Sequence, residues 1–146
     1  MKTNDLILNY YEGVHIIKNT TEGGDWRINN KNKILKIVIR NLHPLLNEQN
    51  LKIINFKDIA YKSFNLSKSK THENCACCGG RRYNEIKKYD LIYPPILLKG
   101  KKYNSFNKEY RMIDGKHRMM NLVERIKEGK YYFFVLSYNQ IKKYIE

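Results

Sequence analysis

Apolar residues along this chain fall into short runs, and the spacing within each run predicts an element. Lys33–Arg40 (Lys-Ile-Leu-Lys-Ile-Val-Ile-Arg) is a strand candidate with charged ends, and His43, ahead of Pro44, is held extended and starts a turn. Leu51–Ile59 predicts another strand, followed by a polar connection over Tyr61–Ser69. Ser67–Arg82 shows no periodicity and reads as a loop, whereas Tyr83–Leu91 places Ile86 and Tyr89 at near-helical spacing. Pro94-Pro95-Ile96-Leu97-Leu98 predicts a strand opened by prolines, where the missing donors are tolerated at a start or an edge. Gly100–Lys108 is a hairpin-type connection into a strand at Tyr110–Ile113. Met119, Leu122, Val123 and Ile126 then mark the buried stripe of a helix, with Arg118, Asn121, Arg125 and Glu128 mostly on its other side. Gly129 is the stop signal, Tyr131–Leu136 a further strand, and Ile141, Tyr144 and Ile145 the apolar side of a small closing helix.

Strands and helices mixed in this way predict an α+β fold, a small mixed sheet with flanking helices. The 146 residues suffice for one real core and are short for two, so 1–146 reads as a single domain. Within it, 1–50 is an N-terminal extension, broken at Gly23-Gly24, whose Leu6, Ile7, Leu8, Tyr10 and Tyr11 fit a strand or a helix. Trp26 and the Tyr10-Tyr11 pair read as core or interface residues.

Charge narrows the partners. A formal net charge of +14 favours nucleic acid, nucleotides or another acidic partner, and equally fits a plain solubility surface. No apolar run approaches transmembrane length, and Asp5 near the start argues against a secretory signal, so no membrane partner is expected. Three cysteines bunched at 75, 77 and 78 do not make a disulfide framework, which points to a reducing, cytoplasmic setting. Oligomeric state is left open.

The sharpest local chemistry lies between the strand at Tyr110 and the following helix, at Asp114-Gly115-Lys116-His117-Arg118. Asp114 suits an N-cap and Gly115 a sharp turn. A helix start offers main-chain N–H groups and a positive dipole end to an anion. Lys116 adds a point charge, Arg118 a bidentate fork and His117 a donor that also moves protons near neutrality. A capped surface helix with incidental basic residues is the competing reading.

The order of proline-led strand, connection, strand, Asp-Gly-x-His-Arg, helix and strand resembles the ParB/sulfiredoxin superfamily. The residues that carry it are Pro94–Leu98, Tyr110–Arg118 and Phe133-Phe134-Val135, with a looser match back through Tyr83–Tyr89 to Ile53–Tyr61. The resemblance implies a ParB/sulfiredoxin-like core over 51–146 whose motif loop holds nucleotide phosphates, with Gly115, Lys116, His117 and Arg118 lining them and ATP or CTP with magnesium as cofactor. Lys116 stands where sulfiredoxins carry their reactive cysteine, so repair of peroxiredoxin is not implied. The Gly-Glu-Arg-Arg motif and the helix-turn-helix domain of partition proteins are also missing, and the Asp-Gly-x-His-Arg form lies nearer to the kinase-like and phage-encoded branches.

Catalytic candidates are His117 and Asp114, with Glu85 and Asp58 as remote acidic partners. His72, Cys75, Cys77 and Cys78 supply four potential zinc ligands, but adjacent cysteines do not readily face one ion, and free thiols are the alternative. Arg81 and Arg82 beside Tyr83, and Lys99, Lys101 and Lys102 beside Tyr103, interleave cations with rings as single-stranded nucleic acid prefers. Two functional readings follow. One is a nucleotide-phosphate-binding domain acting as a metal-dependent hydrolase, phosphotransferase or nuclease. The other is a non-enzymatic basic protein for nucleic-acid binding, host interaction or virion association.

Overall fold

The computed structural model of the chain describes residues 28–30, 33–35, 37, 39–61, 81–104 and 106–145. Strands β1 (Ile28–Asn30) and β2 (Lys33–Leu35) pair antiparallel, with Ile28 opposite Leu35. The other strands are β3 (Leu51–Asn55), β4 (Ile59–Ala60), β5 (Ile96–Lys99), β6 (Tyr110–Asp114) and β7 (Lys130–Leu136). They form one mixed five-stranded sheet in the order β3-β7-β5-β6-β4. Helices α1 (Arg81–Lys87), α2 (Lys116–Arg125) and α3 (Tyr138–Ile141) complete a mixed α+β fold. Among the described residues, no helix is long and apolar enough to cross a membrane.

The sheet is strongly curled, and chain connectivity dictates it. β3 runs antiparallel to β7, β4 parallel to β6, and β5 is parallel to β7 but antiparallel to β6. The two edge strands therefore point the same way, separated by the 3-10 turn Phe56–Asp58. Four residue steps from Asn55 to Ile59 reach about 14 Å at most. Crossing four flat interstrand spacings takes about 19 Å. The edges must come round toward one another, so β3 and β4 act as a single strand kinked at 56–58. Phe56, on the kink, buries its ring edge-on to Phe133 with centroids 6.1 Å apart.

Strand β5 sits at the centre, and its residues Ile96, Leu97 and Leu98 are all buried. Phe133, Phe134 and Leu136 of β7 are sealed as well. Consecutive buried positions mean that both faces of the sheet are covered. Ile37, Ile39, Leu42 and Leu46 join the same core, and Ile37 bridges Ile145 near the end of the described chain. Residues Ile37, Ile39, Leu42 and Leu46 thus pack with the sheet.

Local structure departs from the sequence expectation where turn chemistry competes with strand character. The strand predicted over Lys33–Arg40 stops at Leu35, and a 3-10 helix, Ile39–Leu45, takes up the turn expected at Pro44. The strand predicted over Leu51–Ile59 is split by the 3-10 kink at 56–58. Helix α1 starts two residues earlier than Tyr83 and ends at Lys87. Helix α2 ends at Arg125, because Ile126 is already extended (ψ 98°), and Gly129 (φ 73°) serves the turn into β7 instead. Of the two places open to the prolines, the start is the one found: they precede β5, a central strand, and remove no donor from its ladder. Ser137 and Gln140 cap α3 reciprocally, with Ser137 Oγ accepting from Gln140 N–H and Gln140 Oε1 from Ser137 N–H.

Candidate functional site

Strand β6 buries Met112 and Ile113 and delivers Asp114 to the start of α2. Gly115 occupies the N-cap in the left-handed region (φ 109°, ψ 28°). A Cβ there would lie 2.6 Å from Pro95 Cβ and 3.0 Å from Pro95 Cα, so glycine is required by conformation and by space together. Its carbonyl accepts from Met119 N–H at 2.7 Å, the first turn of α2. Asp114, expected to be the N-cap, is the last residue of the strand instead, and no side chain caps the helix at Gly115.

What Asp114 does is hold Arg118. Arg118 Nη2 donates to Asp114 Oδ2 at 3.0 Å, and Nη1 donates to the Pro94 carbonyl at 3.1 Å. The arginine side chain is 6% exposed and the aspartate 18%. A guanidinium this enclosed is tolerable only when paired and hydrogen-bonded, which the two bonds supply. The fork therefore ties the end of β6 to the proline lead of β5 and fixes the shape of the turn. Arg118 was placed on the outer side of the helix by periodicity; the structure turns it inward. Of the motif's side chains, Lys116 is the cation that keeps partial access to solvent, while His117 is largely buried.

Further along α2 a polar seam joins it to α1. Asn121, also expected on the outer side, is 0% exposed. Its Nδ2 donates to the carbonyls of His117 (3.0 Å) and Tyr83 (3.3 Å), while Oδ1 has no hydrogen-bond partner. Arg125 Nη2 donates to the Tyr89 carbonyl at 2.8 Å, and its buried Nη1 is unsatisfied. The Tyr83 hydroxyl donates to Glu124, and burial first, then this carboxylate, push its pKa up to about 12. Tyr83 and Met120 pack here as a small apolar cluster with Tyr61 against it. None of this seam was read from the sequence. The signal was present in Asn121 and Arg125, which stand one and two turns beyond His117 and Arg118 on the same helix.

The remaining candidates are spread around the fold. Glu85 lies on α1 in a 3.2 Å ion pair with Lys88 on the exposed side of that helix. Asp58 sits on the kink, and it and Glu109 act electrostatically on Tyr110, at the opposite end of β6 from Asp114. Arg81 and Arg82 are the first two residues of α1. Lys99, Lys101 and Lys102 are exposed at the end of β5 and the turn after it. Lys101 pairs with Glu109 at 3.5 Å, and Lys102 Nζ stands 5.2 Å from the centroid of the Tyr103 ring, which stacks on Tyr138. Lysine and aromatic rings are therefore adjacent here. His72, Cys75, Cys77 and Cys78 lie outside the described residues, as do Tyr10, Tyr11 and Trp26. Among the described residues no three His, Cys, Asp or Glu side chains cluster as metal ligands. In the five-residue turn Asp114 supplies the carboxylate and Arg118 engages its Oδ2.

Comparison of the chain with protein-family models, curated proteins and solved structures found no match.

Proposed function

We propose that the chain binds the phosphates of a nucleotide at the start of α2, as its resemblance to the ParB/sulfiredoxin superfamily implies. The observation that carries this reading is the glycine-led, side-chain-uncapped N-terminus of α2, braced from behind by the partly buried Asp114–Arg118 pair. Main-chain amides of the first turn and the helix dipole favour an anion there. Lys116, the more accessible cation of the motif, adds its charge. In this arrangement Arg118 acts on phosphate indirectly, by holding the turn in shape, and Gly115 admits the backbone to close approach. His117 is the proton carrier and Asp114 the magnesium partner if the site turns over as a hydrolase, phosphotransferase or nuclease. The cytoplasm, where ATP and CTP are abundant, is the compartment proposed for this activity.

The test is thermal denaturation with ATP or CTP and magnesium. A nucleotide at a hundredfold excess over its Kd stabilises the folded state by about 2.7 kcal/mol. Wild-type protein should melt at a higher temperature with nucleotide, and Lys116→Glu should lose that gain, each protein being read against its own nucleotide-free melt. Equal gains in both proteins remove the helix start from the mechanism. Arg118 is left intact in this test, because its loss would unfold the turn for reasons unrelated to ligand.

The net charge of +14 and the exposed trio Lys99, Lys101 and Lys102 support a second reading, in which the protein binds nucleic acid without turnover. That reading requires affinity that falls steeply with salt and no dependence on nucleotide.

A further inference from the structure

The far end of β6 carries a second feature, independent of the α2 corner. A cleft of about 310 Å³ is lined by Lys57, Ile59, Ala60, Tyr61, Phe106 and Lys108. Its volume falls at the small end of ligand sites. Ile59 and Ala60 of the edge strand β4 are buried and form an apolar floor. Phe106, which also lines the cleft, is 50% exposed.

Asn104 clasps the described residues on either side of Phe106. Asn104 Oδ1 accepts from the N–H groups of Phe106 (3.1 Å) and Lys108 (3.0 Å), and its Nδ2 donates to the Lys108 carbonyl at 2.7 Å. Asn107 takes a left-handed φ of 55°, which asparagine tolerates better than most residues. Arg111 Nη1 donates to the Tyr103 carbonyl at 2.9 Å, bracing the same loop from β6. An apolar ring is thus held in water by a polar clasp, with lysine 57 on the kink and lysine 108 on the loop, both exposed.

We infer that this cleft takes one nucleotide unit of a single-stranded nucleic acid, its base against Phe106 and Tyr61 and its phosphates on Lys57 and Lys108. A cleft that brings an exposed ring together with two lysines matches a ligand that is aromatic and anionic at once. Bases present a π-face whatever their sequence, and phosphates satisfy the lysines. A purely apolar ligand leaves both lysines unmatched, and a plain polyanion leaves Phe106 unexplained. Roughly 13 Å of strand, four steps of β6, separates Tyr110 beside this cleft from Asp114 at the α2 corner. The two sites therefore rest on different residues.

The experiment is fluorescence anisotropy with labelled oligothymidylate across a salt series, on the full chain. Phe106→Ala should weaken binding roughly tenfold, as loss of one stacking ring does. Lys57→Ala with Lys108→Ala should flatten the slope of log affinity against log salt by about 1.4. All three side chains are exposed, so melting temperature should be unchanged, and Phe106→Ala should keep any stabilisation by ATP or CTP. Wild-type affinity and salt slope in these variants overturn the inference. So does displacement of the oligonucleotide by thymidine monophosphate at equal nucleotide concentration, which assigns the cleft to a free nucleotide. Displacement by a copolymer of glutamate and tyrosine at equal charge would assign it to an acidic peptide and likewise overturn it.

Discussion

Substituting alanine for Gly115 isolates what the α2 corner demands of the backbone. The residue sits at φ 109°, where an L side chain is strained by about 1–2 kcal/mol. The added methyl would also lie 2.6 Å from Pro95 Cβ, 3.0 Å from Pro95 Cα and 3.1 Å from Arg118 Nη2. Two of those atoms belong to a rigid ring and a main chain that leads directly into the central strand, so neither yields easily. Overpacking of this kind costs about 1–3 kcal/mol, and the two contributions together come to roughly 2–5 kcal/mol. Gly129 provides the internal control: its φ is 73° and a Cβ there meets nothing within 4 Å. Gly129→Ala should cost only the backbone share. Urea denaturation of the two variants, read as the change in midpoint at constant slope, measures both. Gly115→Ala is expected to exceed Gly129→Ala by about 1–3 kcal/mol, the steric share. Adding Pro95→Gly should recover part of that excess, because it deletes the atom at 2.6 Å, and contacting residues couple in such a cycle. Equal destabilisation at the two glycines, or no coupling to Pro95, would refute the claim that close approach fixes glycine at 115.

The other two predictions concern buried polar groups. Arg118→Met should destabilise by about 3–5 kcal/mol in urea, since it removes the guanidinium that bonds Asp114 and the Pro94 carbonyl; a loss under about 1 kcal/mol would mean that the pair does not brace the turn. Tyr83 is 4% exposed, and its hydroxyl is raised from 10.0 to about 12, so the folded state holds that proton more tightly than the unfolded chain does. The resulting stability is complete below pH 10 and is lost as pH climbs through about 12, to a ceiling of roughly 3 kcal/mol. Stability measured between about pH 9 and 12 should fall more steeply for wild type than for Tyr83→Phe, and parallel curves would sink this assignment.

Elements with a strong period were legible from the sequence. The apolar runs at Ile96–Leu98, Tyr110–Ile113 and Tyr131–Leu136 became β5, β6 and β7, and Met119 and Leu122 of the expected stripe are buried in α2, whereas Val123 is exposed and Ile126 half-buried. Strand order was not legible, because pairings such as β3 with β7 join residues about eighty apart and leave no local signal. The kink at 56–58 was hidden for a related reason. Phe56 is as apolar as a strand residue, and only closure of the curled sheet, which draws β3 and β4 together, requires a break there.

The motif at 114–118 was legible as a turn but misleading in its side chains. Periodicity assigns a face from spacing alone, and it sent Arg118 and Asn121 outward because their chemistry is polar. In the fold, that side of α2 meets α1 and the lead of β5, so polar residues there are buried and spend their donors on the carbonyls of Pro94, His117 and Tyr83. The same residue types that would bind a phosphate thus also satisfy main-chain groups that helix packing would otherwise strand. A basic motif at a helix start divides between these duties according to which side chains are enclosed. Here Arg118 frames the turn, and Lys116 is the more accessible cation beside the helix start. That division is why charge reversal at Lys116, and not removal of Arg118, is the informative perturbation of binding.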